Sequence, residues 1–178
     1  MVASNEAEDS DPGLPAHDRV MAHARGKARD VAARLGIPDG GAVLGADTEV
    51  VLDGVALGKA LDEDSARAML QSLAGRSHDV MTGLVLITGD GEYEALSHAE
   101  VRMRPMDAPL ITWYLGRGEW QGRAGAYAVQ GAGGALVEGI TGEPSAVIGL
   151  PVSALCDLLT VAGLLPWGQT PGGDRPPY

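Results

Sequence analysis

The sequence has little cysteine or lysine and no long apolar run. One cysteine among 178 residues, Cys156, forms neither an internal disulfide nor a cysteine zinc cluster. That fits a reducing compartment, and the cytoplasm is the expected location. No stretch approaches the roughly 18 apolar residues of a membrane helix. The opening MVASNEAEDSDPG is acidic and lacks the apolar core of a secretory signal. The serine-nucleophile pattern G-x-S-x-G, the Walker A phosphate loop and the dinucleotide pattern G-x-G-x-x-G are all absent, which sets aside three common hydrolase and nucleotide-binding designs. No internal repeat is visible.

Basic residues are scarce. Lys and Arg total 13 against 24 Asp and Glu, a formal charge of −11. Such a surface repels polyanions, so no nucleic-acid polymer is expected as a partner. A small anionic substrate requires a local basic cluster, a metal ion or both. Eleven of the 13 basic residues are Arg, and the two lysines are Lys27 and Lys59. Either these are chance survivors of codon bias, or they stand where a compact ammonium is needed.

What remains is ordinary for a globular chain: 45% apolar and 21% charged residues, enough for one domain. Periodicity predicts a helix over 15–35 with Gly36 as its stop, and a strand over 42–52. Asp53-Gly54 signals a hairpin into an antiparallel return over 55–57. A second helix is predicted over 62–73, and strands over 80–88 and 92–104 about the turn Gly89-Asp90-Gly91. A helix over 107–115 follows. Short strands are predicted over 135–140 and 146–148, and a last helix over 152–164. Together these give an α/β fold, one domain over 1–165, with a mixed (parallel and antiparallel) sheet flanked by helices. The Pro- and Gly-rich tail 166–178 is expected to be disordered.

Several residues stand out chemically. Asp47 interrupts an otherwise apolar strand, VLGADTEVVL, and a buried carboxylate must be paired or bind a metal. It is either functional or a strand-end Asp bonded to nearby N–H groups. Gly45 lets another group approach that strand. Lys59, just past the hairpin, returns toward Asp47, where the pair suits phosphate chemistry or forms an ordinary ion pair. The stretch GRAGAYAVQGAGG is either a linker or backbone that must come close to a ligand; Arg123, Tyr127 and Gln130 favour the second. His78 reads as a structural hydrogen-bonding group. The spacing of His17, His23, His78 and His98 matches no metal motif.

Four stretches together resemble the Maf family of nucleoside triphosphate pyrophosphatases. They are GKARDVAARL, the long block VLGADTEVVLDGVALGKALDEDSARAMLQSLAGRSHDVMTGLVLI, GEWQGRAGAYAVQGAGGALVEGI, and AVIGLPVSAL. The resemblance implies a mixed α/β fold with an ITPase-like cleft between two lobes, usually in a homodimer. It implies hydrolysis of a nucleoside triphosphate between the α- and β-phosphates, with a divalent cation such as Mg2+ or Mn2+. By position, Asp47 would be the general base, a metal ligand or both. Glu8, matching an acidic residue of the family's V-D-E segment, would be a metal ligand or base; Glu6 and Asp9 are its neighbours. Lys27 and Lys59 would hold phosphate oxygens, and Gln130 would touch metal or substrate. The A-Y-A-V-Q-G form resembles the branch acting on dTTP and UTP.

There are departures. The family's S-x-S-P-R-R segment has no counterpart, Ala60 replaces a Pro, and Arg123 replaces a Lys. Either the start at Met1 is internal to a longer reading frame or the phosphate-binding loop is missing. The alternative expectation is therefore a catalytically impaired member that binds nucleotide or a protein partner.

Overall fold

The computed structural model of the chain describes residues 3–4 and 14–165. The expectations for the tail 166–178 and for Glu8 lie outside the described residues. In chain order the elements are α1 (Ala16–Leu35), β1 (Ala42–Leu52), β2 (Val55–Leu57), α2 (Glu63–Leu73), β3 (Ser77–Thr88), β4 (Glu92–Met103) and α3 (Ala108–Leu115). A 3-10 turn (Ala132–Leu136), β5 (Val137–Gly142), α4 (Pro144–Ile148) and α5 (Val152–Val161) complete them. None of the described helices is long and apolar enough to cross a membrane.

The strands form one sheet in the order β2-β1-β3-β4-β5. Every pairing is antiparallel, which corrects the expected mixed sheet. The error has a clear origin. β2 and β3 do run parallel, joined through α2 as an alternating strand–helix pattern suggests. However, β1 lies between them and is antiparallel to both, so the parallel pair is never hydrogen-bonded. The segment 146–148 is helical rather than extended. Pro144 starts the short α4, and Gly149 ends it in a left-handed conformation.

Local chemistry explains the elements that position the site. Asp53 and Gly54 have φ of 51° and 79°, the two left-handed residues of a type I′ turn, and this makes β1–β2 a tight hairpin. Asp62 and Ser65 form a reciprocal capping box at the start of α2. Asp107 accepts from Leu110 N at the start of α3.

One face of the sheet carries α1; the other packs on the remaining helices. The larger core joins Leu70 and Leu73 of α2, Val80, Val101 and Met103 of the sheet, and Ile111 and Tyr114 of α3. Leu84, Leu86 and Leu158 form a smaller cluster under α5. On the opposite face α1 buries a stripe of small residues, Val20, Ala24 and Ala28, one turn apart. The small stripe meets two glycines of the sheet. A Cβ on Gly45 would lie 2.3 Å from the Ala24 carbonyl oxygen and 2.7 Å from the Ala28 Cβ. A Cβ on Gly83 would lie 2.8 Å from the Met21 sulfur. The group that approaches Gly45 is thus helix α1.

This close approach gives the first test. Gly45→Ala forces a methyl into the backbone of α1 and should cost about 1–3 kcal/mol as overpacking. Urea unfolding measures it, and an unchanged midpoint would contradict the tight helix–sheet contact.

Candidate active site

With α1 held against the sheet, its polar stripe comes to lie over β1. Arg19, His23 and Lys27 are spaced i, i+4, i+8 and share one helix face. Asp47 and Glu49 alternate on β1 and so share one sheet face, the face that carries α1. The two sets meet directly. Lys27 Nζ donates to Asp47 Oδ1 at 2.5 Å. His23 Nδ1 stands 3.4 Å from Asp47 Oδ2. Arg19 binds Glu49 through both carboxylate oxygens, Nε to Oε1 at 3.0 Å and Nη2 to Oε2 at 2.7 Å. All five side chains are largely buried, Lys27 most exposed at 23% and Arg19 least at 9%. Two buried carboxylates thus face two cations that neutralise them, as burial requires.

The cluster opens into two adjoining cavities. The first, of about 230 Å³, is lined by Lys27, Asp47, Thr48, Lys59, Arg123, Tyr127 and Gln130, with Val50, Val147 and Ile148 as apolar wall. The second, of about 520 Å³, is lined by Arg19, His23, Asp47, Glu49 and Lys59 with the β2 segment. Asp47, Thr48 and Lys59 border both.

Lys59 reaches this place by register. Val50 pairs with Leu57 in the hairpin, so two residues further on Lys59 comes level with Thr48. A bridge to Ala124 fixes it, and Gly125 N donates to the carbonyls of Leu57 and Gly58. The Gly-rich stretch is therefore not a loose linker: Gly125 to Ala128 are buried. Gly125 has φ of +67°, and a Cβ there would lie 3.0 Å from Val50 Cγ1, so only glycine suits both conformation and packing. Gln130 and Arg123 are exposed at the cavity rim.

Thr48 has a defined hydrogen-bond direction. Thr82 Oγ1 donates its proton to the Ala146 carbonyl at 2.8 Å. The 2.9 Å contact between the two hydroxyls must then use the proton of Thr48. Thr48 keeps only lone pairs for anything that enters the cavities.

Of the residues singled out from sequence, Lys27, Asp47, Lys59 and Gln130 line one cavity. Glu8 lies outside the described residues. Sequence reasoning missed His23, Glu49 and Arg19. Nδ1 of His23 and a carboxylate oxygen from each of Asp47 and Glu49 lie within 4.8 Å of one another, a group able to hold a metal ion. One nitrogen and two carboxylates suit a divalent cation. The histidine spacing motifs failed because the ligands come from two elements. The readable signal was the i, i+4 spacing of His23 and Lys27 opposite the i, i+2 spacing of Asp47 and Glu49.

A family model described as "Maf-like protein" matches residues 1–162. The chain belongs to the Maf family. Several curated relatives carry the name dTTP/UTP pyrophosphatase. The one from Anaeromyxobacter sp. (strain Fw109-5) is 43% identical over 176 residues, 96% of this chain and 82% of its own length. That of Myxococcus xanthus (strain DK1622) is 46% identical over 145 residues, 81% of this chain and 72% of its own. That of Pyrococcus furiosus is 36% identical over 156 residues, 88% and 80% respectively.

In this Maf protein His78 supports the cavity wall from behind. It lies in β3, buried, with Nε2 at 2.8 Å from the Tyr127 hydroxyl and the rings edge to face. Burial lowers the His78 pKa from 6.5 to about 4, and burial also raises that of Tyr127. His78 is therefore neutral in the folded protein when it would already be protonated in the unfolded chain. Its contribution to stability is complete above pH 6.5 and is lost as the pH falls toward about 4. The total is about 3 kcal/mol from the size of that shift. Urea unfolding at a series of pH values should show a steeper acid loss in the wild type than in His78→Leu. Parallel curves would contradict a neutral buried His78.

Proposed function

We propose that the chain is a nucleoside triphosphate pyrophosphatase acting on dTTP or UTP, releasing the nucleoside monophosphate and pyrophosphate. The observation that carries this reading is the convergence of Lys27, Asp47, Lys59 and Gln130, from three separate stretches of sequence, on one cavity. The names of relatives at 43–46% identity support the substrate class. A family match running over residues 1–162 supports a single catalytic domain ending near residue 165. The same reading takes the working enzyme as a cytoplasmic homodimer.

The residues divide the chemistry as follows. The apolar wall of Val50, Val147 and Ile148, with Gln130 and Tyr127, suits the nucleoside. The polar side, with Lys27 and Lys59, suits the phosphates. Both lysines neutralise phosphate oxygens as negative charge shifts toward the departing pyrophosphate. Asp47 accepts the proton of the attacking water. The water oxygen bonds to the α-phosphorus as the bond to the bridging oxygen breaks, and pyrophosphate leaves with that electron pair. Lys27, bonded to Oδ1, keeps Asp47 aimed, leaving Oδ2 for the water or a ligand. Thr48 accepts a hydrogen bond from the same water or from a protonated phosphate oxygen. His23, Asp47 and Glu49, together with Glu8, would hold a divalent cation such as Mg2+ or Mn2+. When bound, that cation supplies charge neutralisation of the triphosphate and polarisation of the water.

Pyrophosphate release from dTTP and UTP, measured against the purine triphosphates, tests the substrate class; no release from any of them sinks the reading. Asp47→Asn should lower kcat by about 100-fold or more, the range of general-base catalysis, while circular dichroism stays native. Near-normal turnover in that variant would remove Asp47 from the reaction.

A further inference from the structure

The imidazole beside Asp47 has no part in the chemistry so far beyond membership of a ligand group. We infer that His23 makes this a nitrogen-containing metal site that selects a first-row transition ion, of the Mn2+–Co2+–Zn2+ kind, over Mg2+. The inference rests on the pyrophosphatase reading only in placing a divalent ion at Asp47.

Three observations carry it. The first is spacing. His23 Nδ1 and Asp47 Oδ2 are 3.4 Å apart, too far for a strong hydrogen bond. Two neighbouring ligands on one octahedral ion, with bonds of about 2.1 Å, lie about 3 Å apart. A shift of a few tenths of an ångström seats both on one metal, and a Glu49 oxygen lies within 4.8 Å of each. The second is charge. Lys27 and Arg19 already neutralise Asp47 and Glu49, so the cluster holds no excess negative charge to attract a hard cation. Mg2+ binds through charge and oxygen and dehydrates reluctantly. A neutralised carboxylate pair weakens that attraction for every divalent ion alike and leaves ligand type to decide. The third is the ligand itself. Imidazole nitrogen favours the later transition ions, with affinity rising from Mn2+ through Co2+, whereas Mg2+ gains nothing from it. His23 is placed for this role, 14% exposed on the wall of the larger cavity, with Nδ1 facing the carboxylates.

Equilibrium dialysis and calorimetry on the metal-free full chain, with Co2+ and Mg2+ each added alone, test the inference. The wild type should bind one Co2+ per chain at least about 10-fold more tightly than Mg2+. His23→Leu should weaken Co2+ at least about 10-fold and change Mg2+ by less than about twofold. His23→Asn, which offers an amide oxygen, should likewise lose the preference; its melting temperature serves as the folding control. A spectroscopic signature stands beside the affinities. The Co2+ protein should show a hyperfine-shifted exchangeable imidazole proton that is absent in His23→Leu. Equal Co2+ affinity in wild type and His23→Leu, with that resonance retained, overturns the nitrogen ligand. Wild-type affinity for both metals in Asp47→Asn overturns the metal site as a whole. Loss in Asp47→Asn without loss in His23→Leu overturns only the role of His23.

Discussion

The site depends on one steric fact: helix α1 lies against bare backbone. Gly45 and Gly83 offer no side chains on the α1 face of the sheet, and Val20, Ala24 and Ala28 offer only small ones in return. Close packing then does more than fill space. It sets the height at which the next stripe of the helix meets the strand. Arg19, His23 and Lys27 reach carboxylates two residues apart on β1, and no loop intervenes. A site built on a helix and a strand is more precise than one built on loops. Here precision comes from the absence of two side chains.

The ion pairs within that contact show how lysine and arginine differ there. Arg19 engages both oxygens of Glu49, as a planar fork does. Lys27 engages one oxygen of Asp47 and leaves the other toward His23 and the cavity. A guanidinium at position 27 would tend to close off both oxygens. A point charge leaves the carboxylate half available, which a proton acceptor or metal ligand requires. The overall charge of −11 is thereby reversed locally, where Lys27, Lys59 and Arg123 border one cavity.

Much of this was legible in the amino-acid order, because the informative signals are local. The Asp53-Gly54 hairpin, the Gly36 stop of α1 and the turn Gly89-Asp90-Gly91 between β3 and β4 each depend on a few adjacent residues, and each appears as read. The pattern GADT between apolar residues drew attention to Asp47 for the same reason. Non-local facts were not legible. Strand order decides whether β2 and β3 bond, and no short window reports that β1 lies between them. The run Ala146–Ile148 has the composition of a strand, yet Pro144 and the left-handed Gly149 make it one helical turn. His23 was passed over because its partners lie more than twenty residues away on another element. Its spacing to Lys27 gained meaning only once β1 was known to lie beneath it.

The hairpin between Asp47 and Lys59 acts as a ruler. Its turn is exposed, and a substitution there touches only the Asp53–Arg76 ion pair and the positive φ of Asp53 and Gly54. A change of length is another matter. Adding one residue to β2 slides everything after it by about 3.3 Å and sends each side chain to the opposite face. Lys59 would leave the cavity, and the bridge to Ala124 would lose its partner. Insertions and deletions at this surface turn are therefore excluded by the spacing of the charges the hairpin separates. Among related sequences, the turn should keep its length and vary only among residue types that accept a positive φ.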